Sequence, residues 1–322
     1  MGQPHVKQHY IPDFLLKQWV NAQGKLTHFS RRTDGKVFSG RRSSRGAGYE
    51  EHLYSLEDGS GAKDTHLERD FFARLVDDPA APVHAKLLGG KINELSETEC
   101  AAWSRFLVAQ MVRVPSMVRY VRVAGRQLML SDVDAIELPK EIQLQTGGLT
   151  LREYLESEGA WRLDNASTRT LLTIIESRKL NDVFLRAYWA TCEARSCKWN
   201  FVIGDRPLLY EGQMTDDFLF SLPLSPTMLF FATNQPQTIN TIATSGEREF
   251  VSTINKDSTS KADIYVYATD SHQLPLIEKY LRQQNEPDSE HLVASLMERL
   301  HARGSSAAPN VLAKIPGDNQ IS

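Results

Sequence analysis

Gln8-His9-Tyr10-Ile11-Pro12-Asp13-Phe14-Leu15-Leu16-Lys17-Gln18-Trp19 sets an imidazole and a phenol directly ahead of a proline, then places apolar residues at helical spacing. Proline suits the first turn of a helix, where its missing N–H would lack an intrahelical partner anyway. Ile11, Phe14, Leu15 and Trp19 fall on one side of a short helix, which predicts that it anchors in a core. His9 and Tyr10 are expected at the helix entrance, beside free N–H groups and the positive end of the dipole. That position suits an anion or a neutral imidazole.

The 322 residues have room for one large domain or two ordinary ones, and 41% hydrophobic residues supply a sizeable core. A net charge of −3 argues against a surface built wholly for nucleic acid, though it permits a local basic patch. Cys100, Cys192 and Cys197 form no CxxC pair and no even disulfide framework, so a reducing, cytoplasmic setting is expected. The start has no apolar signal core, and no run approaches the ~18 apolar residues of a membrane span, so no membrane partner is expected.

Outward from the opening, Lys25–Ser30 and Val37–Ser39 flank Asp34-Gly35, a strong hairpin signal. The hairpin is basic, carrying Arg31, Arg32, Lys36, Arg41, Arg42 and Arg45. It reads as a solvated edge that discourages strand pairing, or as a ribbon contacting the phosphates of a nucleic acid or nucleotide. Tyr49–Leu56 reads as a strand. Leu67, Phe71, Leu75 and Val76 form a helical stripe bordered by Glu68, expected to stop or kink at Asp77-Asp78-Pro79. Ser96-Glu97-Thr98-Glu99 is a capping box for a helix that turns Gln110 and Arg113 toward the apolar side. Arg113 is expected at the border of the core, its head reaching water.

Pro115 interrupts that helix, and residues 131 to 148 form the best internal seam. A short helix follows at Thr150–Glu153, and a longer one from Ser167 runs through Tyr188 and Trp189. Trp199–Ile203, Leu208–Tyr210, Phe218–Pro226, Met228–Ala232 and Ile264–Ala268 read as strands, with Pro223 and Pro226 expected to interrupt pairing. A helical turn near Ser258–Ala262 and a helix over Leu276–Arg282 complete the pattern. The expected fold is α+β, a single domain over residues 1–285. Its mostly antiparallel sheet takes the N-terminal hairpin and the C-terminal strands, and a central helical segment covers one face. Residues 286–322 read as a polar, partly helical or disordered tail.

Four pieces occur together: His9-Tyr10-Ile11-Pro12 with Phe14-Leu15 and Trp19; Gln110-Met111-Val112-Arg113-Val114-Pro115; Phe201-Val202-Ile203-Gly204-Asp205-Arg206-Pro207; and Leu222-Pro223-Leu224-Ser225-Pro226. In this order they resemble the domain of unknown function 4238 family. The resemblance implies a fold neighbourhood and no mechanism. Asp13 stands where many members carry Gln, and Gly204 where Ser is common.

No P-loop, GxSxG elbow, HExxH or Rossmann fingerprint is present, which weighs against ordinary ATPases, serine esterases, zincins and dehydrogenases. A dispersed polar set remains. Glu68, Asp205 and Glu50 are candidate ligands for a divalent ion such as magnesium or manganese, which would activate water for attack on phosphorus. His9, Tyr10, Arg113 and Asp205 are the catalytic candidates, with Arg113 neutralising a phosphoryl oxygen. Gln110, Asn255 and the hairpin residues Arg31, Arg32, Arg41 and Arg42 are candidates for substrate binding. The expectation is a phosphodiester hydrolase, nuclease-like and suited to defence or toxin roles. The rival is a non-catalytic binding module, with Arg113 paired to Glu68 or Asp205 in the core. Convergence of His9 and Asp205 on an open hollow would separate the two.

Overall fold

The computed structural model describes residues 6–282 other than 134–139, 141–143, 145–146, 158, 195–196 and 215. The expected tail from residue 286 and most of the seam at 131–148 lie outside the described residues.

The opening begins as a strand. β1 (Lys7–His9) pairs antiparallel with β4 (Tyr49–Glu51). Pro12 then stands, extended, immediately before α1 (Asp13–Leu16), and a 3₁₀ turn over Lys17–Trp19 completes the short helical piece. Ile11, Leu15, Leu16 and Trp19 are fully buried. The Trp19 Nε1–H donates to the Phe201 carbonyl at 2.9 Å, tying the first helix to a segment far along the chain.

The Asp-Gly turn closes a hairpin of β2 (Leu26–Arg31) and β3 (Val37–Arg42), with Gly35 at φ 82°. β12 (Tyr265–Ala268) pairs with β2, and β8 (Ile203–Gly204) with β12. One antiparallel sheet, ordered β3-β2-β12-β8, therefore joins both ends of the described chain. The remaining C-terminal strands do not join it. β7 (Tyr188–Glu193), β9 (Leu209–Gly212), β10 (Phe218–Pro223) and β11 (Met228–Thr233) form a second sheet, ordered β7-β11-β10-β9. Prolines do not interrupt it: β10 and β11 pair continuously from Leu219↔Thr233 to Pro223↔Leu229, because Pro223 ends its strand and Pro226 lies in the turn. β5 (Leu56–Glu57) and β6 (Lys63–Asp64) form a small ribbon.

The helical layer also departs from the expected boundaries. An 11-residue π-helix, Leu67–Asp77, runs directly into α2 (Asp78–Leu88). Pro79 does not stop it: the helix is continuous, and the wide turn persists up to Asp78, whose N–H bonds the Ala73 carbonyl five residues back. The capping box at Ser96 and Glu99 opens α3 (Glu97–Val112), and Pro115 opens α4 (Pro115–Val133). α5 (Leu151–Glu156), α6 (Ala160–Ile175) and α7 (Arg178–Leu185) follow. The helix expected to run through Trp189 ends at Leu185, and Tyr188 and Trp189 enter β7. α8 (Pro236–Thr244), α9 (Glu247–Ser260) and α10 (Leu274–Tyr280) complete the set.

Helices cover both faces of the sheets, not one. Phe220, Phe230 and Ala232 enter the main core with Trp103 and Phe106, while Leu229 and Phe231 pack with Val251 and Ile254 of α9. In the first sheet, Leu26, Ile203 and Tyr267 join the main core, and Phe29 and Val266 pack with Ile277 of α10. A Cβ on Gly204 would stand 2.5 Å from the Ser258 carbonyl oxygen, so β8 approaches α9 too closely for a side chain at this position.

Gly48 joins these parts. Its φ is 63°, its N–H donates to the Tyr267 hydroxyl at 3.2 Å, and its carbonyl accepts from the N–H groups of Tyr10 and Ile11. A Cβ there would meet Leu16 Cδ1 at 2.8 Å and the Ile11 carbonyl oxygen at 3.1 Å. Backbone strain and overpacking predict that Gly48→Ala costs about 1–3 kcal/mol. Urea unfolding should show this as a lower midpoint with an unchanged slope.

Candidate functional site

Successive residues of an extended chain face opposite ways, and the end of β1 divides the candidate residues accordingly. His9 goes with Glu68: the His9 N–H donates to Glu68 Oε1 at 3.0 Å, and the imidazole Nδ1 lies 4.0 Å from the same oxygen. Burial lowers the imidazole pKa, and the Arg45 carbonyl near Nε2 partly offsets this. Tyr10 goes the other way, hydrogen-bonded to Tyr267 beneath Gly48, and burial holds both phenols well above their ordinary range.

Asp205 lies on the Tyr10 side and is spoken for by backbone. Its Oδ1 accepts from the Asp263 N–H at 2.7 Å, and its Oδ2 from the N–H groups of Ile264 at 2.7 Å and Tyr265 at 2.8 Å. Burial and the neighbouring Asp263 charge push its pKa up to about 7, against the pull of those three donors. The carboxylate thus caps the loop entering β12. His9 and Asp205 do not meet.

Arg113 is fully buried, not bordering the core. Its NH1 pairs with Asp77 Oδ1 at 2.8 Å, and the Gln110 amide oxygen faces Nε and NH2 of the same guanidinium. Its cation lies 5.5 Å from the Phe106 ring centre. Tyr54, stacked on Phe72, donates its hydroxyl to the Arg113 carbonyl at 2.6 Å. The partner is therefore Asp77, in place of the expected Glu68 or Asp205.

The π-helix explains the pairing. Glu68 and Asp77 lie at its two ends. At 3.6 residues per turn they would face opposite ways, but the wider i→i+5 turn brings them to one side, toward Arg113. It also turns Leu75 of the expected stripe out to solvent and Phe72 inward. Glu68 Oε2 is buried without a hydrogen-bond partner. Burial, reinforced by Asp77, pushes the Glu68 pKa up to about 7 against the His9 N–H and Arg113.

The other candidates are dispersed. Asn255 is buried and holds the segment leading into β8, accepting from the Val202 N–H and donating to the Asn200 carbonyl, both at 2.9 Å. Glu50 is half-buried and pairs with Arg119 at 2.9 Å. Glu50, Glu68 and Asp205 each take different partners. No group of three His, Cys, Asp or Glu side chains among the described residues is placed to hold a metal ion. The residues therefore do not fit a shared divalent cation. In the hairpin, Arg31 turns away from solvent to donate to the Gly35, Glu278 and Leu281 carbonyls, fastening β2 to α10. Arg32 lies over the Phe38 ring and Arg42 over Tyr265, while Arg41 is exposed.

Sequence reasoning missed Gln8, Tyr54, Asp77 and Tyr267. Gln8 is buried, donating to Ser55 Oγ at 2.9 Å and accepting from the Tyr54 N–H. Its place in the opening motif was a usable signal. Asp77 carried none, since its inward direction depends on the π register.

Glu68 makes stability pH-dependent. Its folded pKa lies above the ordinary 4.5, so the folded state holds a proton that the unfolded chain loses. The resulting stability is present below pH 4.5 and declines as pH rises to about 7. Glu68→Gln keeps the acceptor for the His9 N–H and cannot ionise. Its unfolding free energy should gain on the parent over that window, by at most about 3 kcal/mol, and run parallel above it. Thermal or urea unfolding from pH 4 to 8 checks this, and parallel curves throughout would contradict it.

No curated protein and no solved structure matches the chain. No helix among the described residues is long and apolar enough to cross a membrane. The family model described as "Protein of unknown function (DUF4238)" matches residues 7–272. The chain belongs to that DUF4238 family.

Proposed function

We propose that this chain is a non-catalytic binding module, whose interior polar residues hold the fold and whose basic hairpin makes contact with an anionic partner. The observation carrying this reading is the commitment of Asp205: both oxygens are taken by three backbone N–H groups, leaving none directed at a substrate. Arg113, enclosed by Asp77, Gln110 and Phe106, supports it too. A buried ion pair needs no turnover to explain it. The free thiols of Cys100, Cys192 and Cys197 fit a reducing, cytoplasmic setting.

A second reading, the phosphodiester hydrolase, is favoured by one feature. Glu68 has a pKa of about 7, a free buried oxygen and the His9 ring 4.0 Å away, as a general acid–base pair would. Incubation of the full chain with labelled RNA or DNA and magnesium or manganese discriminates between the two. The binding-module reading expects intact strands. Divalent-dependent cleavage, lost in still-folded His9→Ala and Glu68→Gln variants, would overturn it. The structural role of Asp205 predicts that Asp205→Asn costs about 2–4 kcal/mol, because an amide NH₂ then faces N–H donors. Urea unfolding measures that loss.

A further inference from the structure

One face of the first sheet combines aromatic rings with unpaired cations. Phe38 of β3 is 41% exposed, unusual for a ring of its size beside open solvent. Across the face, Phe38 lies opposite Ser30 and Ser30 opposite Tyr265, so two small hydroxyl side chains do not separate the rings: a single serine does. His28 lies between them, its ring centre 6.0 Å from that of Phe38 and 6.2 Å from that of Tyr265. Gly40 makes room for this imidazole, since a Cβ there would stand 2.6 Å from His28 Cε1.

Cations frame the rings. The Arg32 guanidinium lies 4.5 Å from the Phe38 ring centre and that of Arg42 5.8 Å from Tyr265. Lys36, just before β3, extends the charge along this outer strand, and Arg41 adds to it from the other side of the pleat. No carboxylate among the described residues pairs with Arg32, Arg41 or Arg42. Asp34, at the turn, is occupied by the Lys36 N–H. His28, 95% buried, keeps Nδ1 without a hydrogen-bond partner.

We propose that this face binds single-stranded nucleic acid, with bases stacking on Phe38 and Tyr265 and phosphates meeting Arg32, Arg42 and the outer edge of β3. The proposal rests on the binding-module reading and names its partner. Charge complementarity selects a polyanion. The exposed Phe38 ring at the outer end of this face, with half-buried Tyr265 beyond Ser30, selects unstacked bases, because duplex bases hide their faces from such a surface.

Fluorescence anisotropy with the full chain tests this, using a labelled oligothymidylate of about a dozen nucleotides. The same-length abasic deoxyribose-phosphate chain, a duplex, polyglutamate and phosphatidylserine vesicles serve as competitors. The oligothymidylate should bind about tenfold more tightly than the abasic chain. Phe38→Ala should erase that difference, and Arg42→Gln should weaken both ligands and flatten the log–log salt slope by about 0.7. Both substitutions are at exposed positions, and circular dichroism confirms folding. Equal binding of the abasic chain, indifference to Phe38→Ala, or preference for duplex, polyglutamate or vesicles would overturn the site. A denaturing gel of the same mixtures separates the two claims. Cleaved strands overturn the non-catalytic reading, whereas intact and unbound strands overturn the stacking site alone.

Discussion

The carboxylate of Asp205 is the constraint on which the rest of the architecture depends. By gathering the N–H groups of residues 263 to 265, it fixes where β12 begins. That start sets the register of Tyr267, whose hydroxyl receives the Gly48 N–H. Gly48 in turn receives the N–H groups of Tyr10 and Ile11, and so holds the opening stretch against the core. Backbone donors in a buried loop have few alternatives, since an unmet N–H costs about as much as a lost hydrogen bond. A carboxylate meets three at once, which a neutral side chain cannot do.

The second polar group, around Arg113, follows a different logic. An arginine with no exposed surface must have its charge balanced and its donors met. Asp77 supplies the balance and Gln110 an acceptor. Meeting this need requires a helix with an unusual turn, because α-helical spacing would place Asp77 on the wrong side. The same turn leaves Glu68 with a free buried oxygen. Burial disfavours a charge on that carboxyl, and Asp77 adds to the effect, which accounts for the direction of its shift. Local irregularity and shifted ionisation thus have one source.

Features set by short-range chemistry were legible in the sequence. The Asp-Gly turn gave β2 and β3, and the Ser96–Glu99 and Thr150–Glu153 boxes marked α3 and α5. The apolar side carrying Gln110 and Arg113 was legible too, but not the full burial of Arg113, which was expected at the border of the core. What failed depended on distant partners. Periodicity cannot assign β8 and β9 to separate sheets, since both are short apolar runs around the same Gly-Asp-Arg-Pro turn. It cannot distinguish π from α spacing over Leu67–Asp77 either, because Phe71 and Phe72 satisfy both. His9 and Asp205 looked like partners by residue type, yet the side-to-side alternation of one strand separates them.

That separation bears on where function can reside. Asp205, Arg113 and Asn255 are held by neighbours, and a substrate would have to displace a hydrogen bond or ion pair to engage them. The outer end of the first sheet, where Phe38, Arg32 and Arg42 are exposed, is under no such constraint. Arg31, which shares the hairpin, is consumed in fastening β2 to α10, whereas Arg32 and Arg42 remain poised over rings on the other side. A guanidinium held over an aromatic face keeps its in-plane donors available, because the ring engages only its flat side. The same charge that looks uniform along the hairpin sequence is therefore divided by the pleat. One part has been spent on structure, and the other is free to recognise an anion.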